Sequence, residues 1–198
     1  MHRVPRFAWL LALLPILGCG TAAPPLHTVE LPIDAVVGAG DPARAAIIGS
    51  AYAFGAPASL ARRPDAAARA VAEVEYLAVE IPAGPRWVEF APHVGQELVG
   101  ARAELRRTLG IAPQAPPQAV VDALYGAARA LRAGDAEAAE RLLARLGLGE
   151  GRTTLARLAD LPPLPRTRIA TSLANLEMNR VDQDSRFGGA GANDGGKD

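Results

Sequence analysis

From residue 41 onward, apolar residues recur mainly at intervals of three and four, the spacing of one face of an α-helix. Punctuation residues divide this pattern into segments. Asp41-Pro42 supplies an N-cap and a first-turn proline, and predicts a helix to about Phe54, stopped by Gly55-Ala56-Pro57. Pro64-Asp65 opens a longer helix to about Ile81, with Val71, Val74, Ala78 and Ile81 as its apolar stripe and Glu73 and Glu80 away from it. A third helix is predicted over 93–109, with Val94, Leu98, Ala101, Leu105 and Leu109 on its inner side and Gly110 as its stop. Gln118 to Arg132 and Ala136 to Leu146 form an αα-hairpin around Gly134-Asp135, with Val120, Leu124, Ala128, Leu131, Ala139, Leu142 and Leu146 facing inward. Glu137 and Arg141 add an i,i+4 pair. Thr153 or Thr154 can cap a short helix to Ala159, and Pro162-Pro163-Leu164-Pro165 breaks the chain. Ile169, Leu173 and Leu176 mark a last helix that frays near Val181.

The two ends read differently. An apolar run from Phe7 to Leu17 follows Arg3 and Arg6, the basic and apolar regions of a secretory signal peptide over 1–18. It falls short of the ~20 apolar residues that span a bilayer. Residues 19–40 read as a tether that becomes ordered: Pro24-Pro25 stiffens it, and Val29 to Ile33 alternates briefly, limited by Pro32 to an edge strand or an extended segment. Residues 182–198 turn to Gly, Asn and Asp and are expected to be disordered. The expectation is therefore all-α, a small bundle of about five to seven helices over 41–181.

Composition adds that this core is poor in aromatics, at 5%, and rich in alanine, so helices can approach closely through small side chains. The formal net charge is zero, and loss of a signal peptide carrying Arg3 and Arg6 would leave 19 basic against 21 acidic side chains. That balance lacks the strongly basic face of a nucleic-acid binder.

Three short resemblances bear on function. Ile16-Leu17-Gly18-Cys19 resembles the lipobox of bacterial lipoproteins, which implies cleavage before Cys19 and acylation of that cysteine, the only one in the chain. Two or three acyl chains would anchor the protein without a membrane helix. Gly20, rather than Asp, follows the cysteine, and in such lipoproteins this permits transfer to the outer membrane. The body without cysteine suits an oxidising periplasm. The hairpin over 117–146 is similar to a tetratricopeptide helix pair, a family that implies peptide binding in a groove. No second copy follows, and such solenoids need about three repeats, which favours a plain bundle. Val36-Val37-Gly38-Ala39-Gly40-Asp41-Pro42-Ala43 resembles a dinucleotide-binding loop. Asp41 would oppose the phosphate there, and a capped loop accounts for the glycines.

No catalytic constellation, cofactor site or metal site is expected. His27 and His93 stand apart without nearby ligands. Glu73, Glu75 and Glu80 read as a solvated acidic stretch, and Arg102, Arg106 and Arg107 as a solvated helix face. None of the serines sits in a G-x-S-x-G turn or an S-x-x-K motif. Trp87 and Phe90, set between prolines, fold over the core as a strap or form a partner contact, since Trp is enriched at binding hot spots. The functional expectation is a lipid-anchored envelope protein that holds another protein. The alternative is a small-ligand or lipid-binding helical module with an apolar pocket between its helices.

Overall fold

The computed structural model of the chain describes residues 28–36, 40–147 and 149–188. Among the described residues there are seven α-helices and no strand: α1 (Pro42–Gly55), α2 (Pro64–Ala83), α3 (Pro92–Leu109), α4 (Pro117–Arg132), α5 (Ala136–Leu143), α6 (Gly151–Ala159) and α7 (Pro165–Gly188). Short 3-10 turns at Ile33–Ala35, Pro57–Ser59, Pro85–Trp87 and Ala144–Leu146 join or extend them.

The central element is α2, which packs against α1, α3, α4 and α6. Every residue from Ala70 to Ala78 is buried. Ala67, Ala68, Ala70, Ala72 and Ala78 keep its girth small, so neighbours can surround it. α7 lies against α1 and α3, and α5 bridges α4 and α6. Because α2 takes neighbours from both directions along the chain, the fold is a bundle around one axis rather than a stack of repeats.

Enclosure of α2 overturns the expected solvation of Glu73 and Glu75, which are 3% and 2% exposed. Glu75 is paired with Arg106 of α3, itself buried rather than on a solvated face: Nε donates to Oε2 at 3.1 Å, and Nη2 donates to Oε1. Arg106 Nη1 also donates to the carbonyls of Ala112 at 3.2 Å and Pro113 at 2.7 Å. Those carbonyls lie just past Gly110, whose φ of 73° ends α3 in the left-handed region that glycine tolerates. One side chain thus ties α2, the end of α3 and the turn toward α4.

Two carboxylates fasten α3 to α7 antiparallel. Glu104, late in α3, accepts from Thr167 N and Oγ1 at the start of α7, both at 2.7 Å. Glu177, late in α7, accepts at 2.8 Å from the N–H of Ala91, the residue before α3. Each negative charge sits at the positive end of the facing helix.

Two boundary expectations and one buried face are corrected. α6 begins at Gly151 rather than behind a Thr153 or Thr154 cap, and Thr154 is buried with its hydroxyl donating to Leu109 O at 3.2 Å. α7 continues past Val181 to Gly188, since Asp182 pairs with Arg44 of α1 and Arg180 pairs with Glu177 and Asp184. Residues 189–198 of the expected tail lie outside the described residues. The buried face of α7 is Thr167, Ala170, Thr171, Ala174 and Met178, whereas Ile169 and Leu176 are exposed. Close approach to α1 and α3 selects the small side chains over the bulky ones.

The N-terminal segment is held along α2 and α4. Its extended part is bonded by Gln118, whose amide accepts from Glu30 N at 2.8 Å and donates to Glu30 O at 3.1 Å. Arg69 Nη2 donates to Ala35 O at 2.7 Å, and Arg129 pairs with Asp34 at 3.1 Å.

Arg106→Ala should destabilise the protein by about 3–5 kcal/mol, because it strands a buried carboxylate. Glu75→Leu combined with Arg106→Met should recover most of that loss. Urea unfolding of the two variants checks both statements.

Candidate functional site

The residues singled out for function do not converge. Cys19 and His27 lie outside the described residues. Trp87 and Phe90 are both buried, so their reading as a partner contact is corrected. The rings pack edge to face, with centroids 4.9 Å apart, and close one end of the core as a strap. Trp87 Nε1 donates to Glu80 Oε1 at 2.9 Å, and the Arg86 guanidinium lies 4.7 Å from the Trp87 ring centroid, within cation–π range. Arg86 also pairs with Asp41. Asp41 caps α1, accepting from Ala43 N at 2.9 Å and Arg44 N at 3.3 Å. Partial burial works to raise its carboxyl pKa, but the Arg86 and backbone hydrogen bonds prevail and hold it below the usual range. This helix start is therefore occupied by the chain's own carboxylate. His93 is exposed on α3, and among the described residues no group of three or more His, Cys, Asp or Glu side chains could hold a metal.

Two cavities do converge on α1. The larger, about 400 Å³, lies between the end of α1 and the linker from α6 to α7. Ala53, Phe54, Pro57 and Leu60 form one side, and Leu161, Pro162, Pro163 and Leu164 the other. Its frame is local. The 3-10 turn after α1 leads to Arg62, in the left-handed region at φ 55°, whose N–H donates to Ala159 O at 3.1 Å. That bond fixes the start of α2 to the end of α6. Across the opening, the proline-rich linker cannot coil back into helix and offers few backbone donors. Charge is confined to Asp160 and Arg168, both exposed. The volume lies within the range of roughly 300–1,000 Å³ of small-molecule sites.

The smaller cavity, about 190 Å³, lies between α1 and α2 and shares Ala53 and Leu60 with the first. Glu73 reaches it from α2. Glu73 Oε1 accepts from Arg69 Nε at 3.0 Å, one helical turn away, while no donor among the described residues is bonded to Oε2. Gly49 of α1 gives the carboxylate room, since a Cβ there would sit 2.8 Å from Oε2. Burial pushes the Glu73 carboxyl up to about 7, against the opposing charge and hydrogen bond of Arg69. Behind this pair lies Tyr125 of α4. Its hydroxyl is buried without a hydrogen-bond partner among the described residues, and burial together with the Glu73 charge raises its pKa.

These cavities were not identified from the sequence. Glu73 and Arg69 are one i,i+4 pair among several, and Pro162 to Pro165 reads there only as a break. The signal that could have marked them is the combination of a glycine on α1 with a carboxylate inside an alanine-rich helix. No protein-family model, curated protein or solved structure matches the chain.

The Glu73 carboxyl titrates near 7 when folded and near 4.5 when free. Between those values the folded state holds more protons than the unfolded one, so stability should increase as pH falls from about 7 toward 4.5. At pH 8 the buried charge costs on the order of 3 kcal/mol, at ~1.4 kcal/mol per unit. Glu73→Gln should therefore be more stable than wild type at pH 8, with the gap closing toward pH 5. Urea midpoints measured across that range check the sign.

Proposed function

We propose that this protein is a non-catalytic binding module whose cleft takes a small amphipathic molecule. The observation that carries the reading is the cleft of about 400 Å³ walled by Phe54, Leu60, Leu161 and the linker prolines, with charge only at its rim. An apolar body would lie against those walls, recovering contacts that an empty apolar cleft forgoes. An anionic end would meet Arg168, which has no ion-pair partner among the described residues. Laurate has this form. It should bind the purified protein saturably by calorimetry, and Ala61→Trp, which fills the rim, should weaken it at least about tenfold, or ~1.4 kcal/mol. Absence of laurate binding, or binding indifferent to Ala61→Trp, would refute the assignment.

A second reading, recruitment of another envelope protein, draws on Ile48 and Tyr52. They stand one turn apart on α1 and are 54% and 70% exposed, and exposed apolar side chains that adjoin one another can mark a contact surface. Both readings go with export and lipid anchoring. Among the described residues no helix is long and apolar enough to cross a membrane. We infer from Ile16-Leu17-Gly18-Cys19 that acyl chains on Cys19 attach the protein to the periplasmic side of the envelope, at the outer membrane. The tryptic peptide of residues 19–44 from membrane extracts should start at Cys19 and carry acyl mass. An unmodified peptide starting near Ala23 would mean a diffusible protein.

A further inference from the structure

The cleft between the end of α1 and the linker from α6 to α7 carries two charged residues on its rim, and a fatty acid answers only one of them. Arg168 can face an anion, whereas Asp160 can only repel it. Asp160 is the C-cap of α6, and Arg168 is the fourth residue of α7. Both are exposed. Among the described residues neither side chain makes a hydrogen bond or an ion pair, with the other or with any third group.

Their places on the helices sharpen the point. A helix C-terminus carries partial negative charge and an N-terminus partial positive charge. Asp160 adds a negative charge to a negative end, and Arg168 adds a positive charge near a positive one. Neither placement stabilises its helix, and no counter-charge among the described residues offsets it. Glu104 takes the N–H groups of Arg166 at 3.4 Å and Thr167 at 2.7 Å at the start of α7. An anion at that edge therefore meets the Arg168 guanidinium rather than free helix backbone. The linker from Leu161 to Leu164 keeps the two charges at separate points of one apolar opening.

We propose that the cleft takes a single-chain lipid with a zwitterionic phosphoethanolamine head. The ammonium donates to Asp160, the phosphate accepts from Arg168, and the acyl chain lies against Phe54, Leu60 and Leu161. This assignment rests on the cleft's being an amphiphile site and specifies the head group. A head of no net charge matches a rim of no net charge. Because Asp160 and Arg168 do not pair with each other, the charges of the ligand must also stand apart. A phosphate and an ammonium joined by an ethylene spacer do so, and the guanidinium fork suits a phosphate. The chain supplies most of the affinity, and the exposed rim charges supply selectivity of a few-fold.

The test is calorimetry of the full chain below micelle-forming concentrations. Lauroyl-lysophosphatidylethanolamine should bind at least about threefold more tightly than lauroyl-lysophosphatidylglycerol, which keeps the chain and phosphate but lacks the ammonium. Phosphoethanolamine without a chain should bind at least about a hundredfold more weakly than the lysolipid. Asp160→Asn should erase the preference between the two lysolipids and leave laurate no weaker. Arg168→Gln should weaken both lysolipids and laurate. Both residues are exposed and unbonded, so neither variant endangers the fold. Failure of laurate and both lysolipids to bind would refute the amphiphile cleft itself. Laurate binding with no preference between the lysolipids, or a preference that survives Asp160→Asn, would overturn the head-group assignment alone. Chain-free phosphoethanolamine binding as tightly as the lysolipid would overturn it too, since the apolar walls would then contribute nothing.

Discussion

Glu75 lies at the centre of a helix that has no solvent-facing side along its middle, and the architecture follows from how that charge is met. A carboxylate taken out of water needs a cation with good geometry and further hydrogen bonds to satisfy what remains. Arg106 provides both. Its fork engages Glu75, and its remaining nitrogen turns to the carbonyls of Ala112 and Pro113. A planar guanidinium reaches four acceptors only from one position, so α3 is fixed along α2 and the turn into α4 is fixed along both. Replacement of Arg106 by lysine would keep the charge and lose this fork.

The same constraint produces the candidate site. Glu73 stands two residues before Glu75, roughly 200° around a helix of about 3.6 residues per turn, and so faces the opposite flank of α2. Arg106 is beyond its reach. The nearest cation is Arg69, one turn back on the same helix and partly exposed, with part of its fork committed to Ala35. Glu73 is therefore buried as deeply as Glu75 but supported by a weaker partner. Burial pushes its carboxyl up toward neutrality against this one cation, and its second oxygen has no donor among the described residues. Two acids of similar burial on one helix thus have different surroundings, one locked into a buried ion pair and one beside a small cavity.

Most helix limits were legible because proline, aspartate and glycine mark them chemically: Pro42, Pro64, Pro92, Pro117 and Pro165 each begin a helix, and Gly110 ends one. The inner faces of α3 and most of α4 were legible as well, since each of these helices buries one stripe. Periodicity misleads where that condition fails. α2 buries its whole circumference, so the stripe of Val71, Val74, Ala78 and Ile81 was real but incomplete, and its acids looked solvated. On α7 the bulky residues Ile169 and Leu176 look like core, yet the tight approach of α1 and α3 admits Ala170, Ala174 and the threonines instead. Both errors share a cause: which side of a helix is enclosed depends on partners distant in sequence, and local hydropathy does not record them. The cavities are harder still to read, the larger being walled by residues from opposite halves of the chain.

The proline-rich linker shows why the cleft persists. An apolar core ordinarily closes over its voids, because each missing contact forfeits dispersion energy. Closure here would require Leu161 to Leu164 to move toward Phe54 and Leu60. The linker is too short for that: α6 is tied to the start of α2 through Arg62 and Ala159, and α7 is tied to α3 through Thr167 and Glu104. Between those two anchors, Pro162, Pro163 and Pro165 restrict the backbone to extended conformations. The cleft is therefore held open by covalent stiffness and by fixed ends rather than by a lack of apolar side chains. A site preformed in this way spends little conformational entropy when a ligand enters, so contacts with the walls convert more fully into affinity.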